Sequence, residues 1–193
     1  MFRRWLLGTT IAVVAMLSPL AASAEGKDIV VTYKDDITTL DPAIGYDWVN
    51  WSMIKSLFSR LMDYEPGTAN LVPSLAESFA VSPDGLTYTF TLRADAKWSD
   101  GTAVTADDFV FSWRRLVDPK TASDYAYFLW PVKNGEAISN GKMAPDTLGA
   151  VAVNPRTFKV TLEQPTGYFL SSLVHRMTYP VSKANVEKFG PDF

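Results

Sequence analysis

Residues Ser74 to Gly101 read SLAESFAVSPDGLTYTFTLRADAKWSDG, and the middle of this stretch alternates strictly. Leu86, Tyr88, Phe90 and Leu92 point one way, while Thr87, Thr89, Thr91 and Arg93 point the other. That period of two marks a strand with one buried and one wet face. Pro83-Asp84-Gly85 sets a turn before it and Ser99-Asp100-Gly101 a second reversal after it. Periodicity alone is met equally by an amphipathic hairpin of any mixed domain.

The string itself is more specific. Ala76, Asp84-Gly85-Leu86-Thr87-Tyr88, Phe90, Leu92-Arg93 and Asp95 resemble the signature of the family-5 solute-binding proteins, the extracytoplasmic receptors of peptide and nickel ABC importers. Lys97-Trp98-Ser99-Asp100-Gly101-Thr102, Val104-Thr105-Ala106 and Asp108-Phe109-Val110 continue the resemblance, which extends over nearly all of residues 29–193. It implies a mixed α/β (α+β) fold of the periplasmic-binding-protein type II kind, two-lobed, with an extra N-terminal subdomain. On that pattern residues 25–58 begin lobe I, 59–182 form the extra subdomain and 183–193 start the return to lobe I. The remainder of lobe I and all of lobe II are then expected to be absent, leaving a truncated member.

Residues 1–24 read as an export signal. Arg3 and Arg4 precede an apolar run from Trp5 to Leu20, and Ala22-Ser23-Ala24 supplies small residues for a cut before Glu25. The run is shorter than the ~20 apolar residues a membrane span needs, and it ends in a proline. Cysteine is absent. A lipid-anchored receptor needs one at its cleavage site, so the expectation is a freely diffusing periplasmic protein. Taking Arg3 and Arg4 from the 18 basic residues leaves 16 against 21 acidic ones, a net charge of −5. With no basic stripe, nucleic acid is excluded as a partner. An apolar fraction of 47% with 13% aromatics argues for a packed core over disorder.

Along the chain, Ile29-Val30-Val31-Thr32-Tyr33 predicts a strand, and Leu40-Asp41-Pro42 a turn. From Trp48 to Leu61 the spacing is helical, with Trp51, Ile54, Phe58 and Leu61 on one face and Leu57 beside them. Thr105 is placed to cap a helix with Asp107 and Asp108 in its first turn, a stripe of Phe109, Trp113 and Leu116, and a stop at Asp118-Pro119. Val151 and Val153, a turn at Asn154–Thr157, then Phe158, Val160 and Leu162 predict a second alternating hairpin. Ser182 caps a last short helix carrying Val186 and Phe189, which Gly190-Pro191 ends.

The resemblance places the loop before the first helix at the ligand cleft, and here it reads Ala43-Ile-Gly-Tyr-Asp-Trp-Val-Asn-Trp51. Tyr46, Asp47 and Trp48 are candidate ligand contacts, because aromatic rings give broad contact area with a polar tip. The Asp47 carboxylate has a second reading, as cap of the adjoining helix. Trp51, on the apolar face, is read as core. The string Asp118-Pro-Lys-Thr-Ala-Ser-Asp-Tyr125 resembles the oligopeptide-receptor branch, in which a tyrosine at the Tyr125 position touches bound peptide. The family usually has proline where Asp124 stands. His175, the one histidine, reads as structural, since there is no second histidine and no cysteine to share a metal with.

Catalytic motifs are missing from the sequence: no Gly-x-Ser-x-Gly, no P-loop and no Gly-x-Gly-x-x-Gly. The adjacent acids Asp35-Asp36 and Asp107-Asp108 diverge along a strand or helix, so they do not share a proton. The resemblance therefore implies a monomeric receptor that captures short peptides without cofactor or catalysis and delivers them to an inner-membrane ABC permease complex. The alternatives are the same family serving a metal chelate, haem, an oligosaccharide or an opine, and, further off, a secreted enzyme.

Overall fold

The computed structural model describes residues 30–190. The expected export signal, Ile29 and the Pro191 stop lie outside them. From Tyr33 onward the chain forms one compact unit, distinct from the unit to which residues 30–32 belong. The strand expected at 29–33 is not formed: Val30 to Tyr33 are exposed and without regular structure. A β-branched run becomes a strand only when its backbone groups find a ladder, and no described segment pairs with this one.

The centre of the compact unit is a four-stranded antiparallel sheet of β3 (Ala76–Val81), β4 (Thr87–Leu92), β5 (Ala150–Asn154) and β6 (Thr157–Thr161), in the order β3-β4-β6-β5. The Ser74–Gly101 reading holds in detail. Tyr88, Phe90 and Leu92 are buried while the threonines between them are half-buried. Gly85 takes φ +70° in the turn, a conformation that side chains resist, and the Asp84 carboxylate accepts the Leu86 N–H at 3.0 Å. Gly101 takes φ +87° in the second reversal.

In the second hairpin the alternation holds but its phase differs on β5. Val151 and Val153 face solvent, and Ala150 and Ala152 turn inward. β5 is the edge strand against which helix α2 (Ala106–Val117) packs. Small side chains let the helix approach, so the larger valines take the outer face. Opposite the alanines Phe158 and Val160 are buried as expected, as is Leu162 just past β6.

Helix α2 begins as its sequence predicts. The Asp108 carboxylate accepts from the Thr105 backbone N–H at 2.9 Å and the Thr105 hydroxyl at 3.0 Å. Phe109, Trp113 and Leu116 face the sheet, and Trp113 meets Phe158 edge-on at 4.9 Å between ring centres. The Trp113 indole N–H donates to the Thr178 carbonyl at 3.0 Å, so this buried ring leaves no polar atom unsatisfied. Burial of each such ring contributes about 2–3 kcal/mol.

Helix α1 (Trp48–Leu57) is shorter than the 48–61 spacing predicts. Phe58 is already extended, with its N–H closing on the Ile54 carbonyl at 3.0 Å, and Leu57 lies exposed. Leu61 is buried, but on the approach to β1 (Met62–Tyr64), which pairs with β2 (Leu71–Pro73) in a small separate ladder. The Leu40-Asp41-Pro42 turn is fastened to α2 by Arg115, whose guanidinium binds both oxygens of the buried Asp41 carboxylate. That carboxylate also accepts the Ala43 N–H at 2.9 Å. The short helices α3 (Gly135–Ser139), α4 (Phe169–Ser172) and α5 (Lys183–Phe189) complete the unit. Ser182 caps α5 as expected, although Phe189 is half exposed.

Candidate ligand cleft

Three segments far apart in sequence meet around Tyr125: the loop entering α1, the 3₁₀ turn Ala126–Leu129 that Tyr125 itself begins, and the 3₁₀ turn Arg176–Thr178. The chain reaches Tyr125 through Ala122, a non-glycine residue at φ 53°. The Tyr125 ring lies 5.8 Å from Tyr46, 5.8 Å from Trp51, 5.9 Å from Tyr127, 6.1 Å from Phe128 and 5.7 Å from His175, centre to centre. Tilted and edge-on contacts of this kind each add roughly 0.5–1.5 kcal/mol beyond area. The ring is held from five sides and remains only half-buried.

The four expected contacts divide. Tyr46 joins Tyr125 and is exposed. Trp48 is the most exposed of them, at 75%, and takes no part in the cluster's ring contacts. Asp47 is the N-cap of α1: one oxygen accepts the Asn50 N–H at 2.9 Å and the other the Asn50 side-chain amide at 2.9 Å. Its second reading, as cap, is the one the geometry shows. Trp51, read as core, is half-buried within the cluster instead, with its indole N–H donating to the Gly45 carbonyl at 2.7 Å. The helical face containing Trp51 is apolar, and Ile54 on it is fully buried, but Trp51 packs among the rings around Tyr125.

His175 and Arg176 are the contributors that spacing did not reveal. His175 stacks on Phe128 at 3.9 Å and meets Trp51 edge-on. Arg176 lays its guanidinium carbon 3.7 Å from the centre of the Trp51 ring. Burial, reinforced by the Arg176 charge, pulls His175 down to about 4, so it is neutral near pH 7. Burial also lowers Arg176, against the pull of Tyr179 and Tyr125, and raises the Tyr125 phenol. Beside these groups lies an open cavity of about 610 Å³, whose wall includes Phe128, His175, Arg176, Arg60 and Lys55. Among the described residues no three His, Cys, Asp or Glu side chains stand together as a metal set would. No described helix is long and apolar enough to cross a membrane.

The arrangement is one of tilted and edge-on rings, a neutral imidazole stacked on Phe128 and a half-buried cation. Comparison with known proteins agrees with the expected family. Residues 70–192 match the family described as bacterial extracellular solute-binding proteins, family 5 middle. The chain belongs to that family.

Among family-5 relatives, the periplasmic murein peptide-binding protein MppA of Escherichia coli is 43% identical over 85% of this chain and 30% of its own length. The substrate-binding domain of an oligopeptide ABC transporter from Bacillus anthracis superposes with a TM-score of 0.80 at 39% identity, over 83% of this chain and 31% of that one. Haemophilus influenzae OppA, solved in complex with the peptide RPPGFSPFR, gives 0.75 at 40% identity, over 79% and 30%. The chain thus spans about a third of the length of these family-5 proteins.

Proposed function

We propose that this chain forms one wall of the solute cleft in a periplasmic receptor for short peptides, which hands its cargo to an inner-membrane ABC permease. The observation that carries the reading is the Tyr125 cluster. Five rings fix the position of a tyrosine that stays half-buried, on the string that resembles the peptide-receptor branch. Family relatives named for peptide binding support the same solute class.

Residues 59–182 act in this reading as the extra subdomain, and residues 25–58 with 183–193 belong to lobe I. Tyr46, Trp48 and Tyr125 touch the ligand, and Asp47 acts through the loop it caps. Retention is by closure of a second lobe over the solute, driven by better contacts in the closed state. No bond of the solute is broken, and no metal or cofactor is required. The receptor is a monomer, freed into the periplasm by cleavage after Ala24 and carrying no lipid.

Native mass spectrometry of the full-length gene product from periplasmic extract tests this reading. Short peptides should come off the protein at masses unchanged by incubation. A bound haem, metal chelate or oligosaccharide would replace peptides as the cargo.

A further inference from the structure

We propose that a second groove, bounded by the 3₁₀ turn Ala126–Leu129, helix α3 and the stretch that leads into α4, is a docking site for an extended polypeptide segment carrying arginine or lysine side chains. The groove encloses about 1070 Å³, and none of Tyr46, Trp48, Trp51 or Tyr125 lines it. It is a separate surface from the Tyr125 cluster, and its occupancy does not depend on what that cluster holds. Three large exposed rings stand on its wall: Tyr127, Trp130 and Tyr168. Leu129, next to Trp130, and Phe169, next to Tyr168, are fully buried, so the backbone under these rings is anchored in the core.

The Glu163 N–H donates to the Pro131 carbonyl at 2.9 Å and the Lys133 N–H to the Thr161 carbonyl at 2.9 Å, lacing the two ring-bearing segments together. A Cβ at Gly135 would collide with the Leu129 carbonyl, so glycine there lets α3 close against the turn and bring Glu136 to the wall. The groove is thus assembled before a partner arrives, and little ordering is required on binding.

Charge decides the partner. Asp124, Glu136 and Glu163 line the groove, against Lys142 as the one cation of its lining. Glu163 accepts the Asn134 N–H at 2.6 Å. The exposed carboxylates of Asp124 and Glu136 make no hydrogen bond or ion pair among the described residues. Aromatic faces attract cations, guanidinium above all, and the carboxylates beside them supply its counter-charge. The Tyr127 and Trp130 rings lie 6.5 Å apart, centre to centre, close to the ~6.6 Å between alternate side chains of an extended chain. That spacing favours a polypeptide with basic residues at every second position over a free amine.

Fluorescence anisotropy on the full-length protein tests the proposal, with labelled, acetylated and amidated Ala-Arg-Ala-Arg-Ala as probe. Wild type should bind it, and more weakly as salt is added. Trp130→Ala should lose about tenfold or more in affinity, as removal of an aromatic anchor does. The double variant Asp124→Asn with Glu136→Gln should lose about threefold or more, as the loss of two exposed charge pairs does. All three side chains are exposed, so both proteins should melt as wild type does. Replacing both arginines of the probe by citrulline, which keeps the shape and removes the charge, should weaken binding at least as much as the double variant. Excess unlabelled Ala-Ala-Ala should not displace the probe. No binding by wild type, equal binding of the citrulline peptide, or unchanged affinity in either variant overturns the proposal. Displacement by Ala-Ala-Ala would move the probe to the Tyr125 cleft, and equal competition by spermidine would replace the polypeptide by a free polyamine; either result likewise overturns it.

Discussion

Arg115 binds both carboxylate oxygens of Asp41 across 74 residues of sequence, tying the loop that leads to Tyr46 onto the face of α2. The Asp41 side chain is 5% exposed and that of Arg115 20%. The pair is thus largely withdrawn from water, and removing Asp41 takes from Arg115 a charged partner that solvent replaces only in part. Asp41→Ala is expected to lower stability by about 3 kcal/mol, near the bottom of the range for buried pairs because Arg115 keeps some water contact. Urea denaturation of the full-length protein measures it. A change within about 0.5 kcal/mol would mean that the loop is not anchored there.

Trp113 supplies the second test. It is fully buried at the contact of α2 with the sheet, and its indole N–H reaches the Thr178 carbonyl. Trp113→Ala should cost about 3–5 kcal/mol, and Trp113→Phe less, since it keeps most of the volume and gives up one hydrogen bond. Thermal melts of the two variants should fall in that order. Equal destabilisation by the two variants would place the weight on the hydrogen bond, which both lose.

The pH dependence of stability follows from His175. Its folded value is about 4, against an ordinary 6.5, because burial and the Arg176 charge disfavour the imidazolium. Between these values the unfolded chain binds more protons, so stability rises with pH there. The contribution is complete above about pH 6.5 and is lost as pH falls towards 4. Allowing for solvent screening at the exposed edge of the ring, the loss is about 1–2 kcal/mol. Melting temperatures taken from pH 7 to pH 4 should decline more steeply for wild type than for His175→Gln. Parallel curves for the two proteins would show that His175 titrates normally in the fold.

Much of the scaffold was legible in the sequence because its determinants are local. The alternation at Leu86–Leu92, the Asp84-Gly85 turn and the Thr105–Asp108 cap each sit within a few residues and obey the periodicity or hydrogen-bond geometry of one element. The misreadings are tertiary. Val151 and Val153 alternate correctly, but only the approach of α2 decides that the alanines face inward. The run at Val30–Tyr33 has the composition of a strand, yet no described strand pairs with it.

The cleft was legible in part for the same reason. Tyr46 and Tyr125 were singled out through a resemblance of strings and their rings do meet, and the capping role of Asp47 through its place before a helix. Trp51 was assigned to the core because helical spacing records which face is apolar, not whether another element covers it. Arg176 carried no local signal at all. Its stacking partner lies 125 positions away, since only folding brings residue 176 to residue 51.

The central claim is that Tyr125 belongs to a cleft that holds peptide unchanged, and calorimetric titration of the full-length protein with a short peptide tests it most directly. Wild type should bind saturably and return the peptide intact. Tyr125→Ala should weaken binding about tenfold or more, as removal of a well-packed aromatic contact does. Undiminished affinity in Tyr125→Ala, or recovery of cleaved peptide from wild type, would contradict the account.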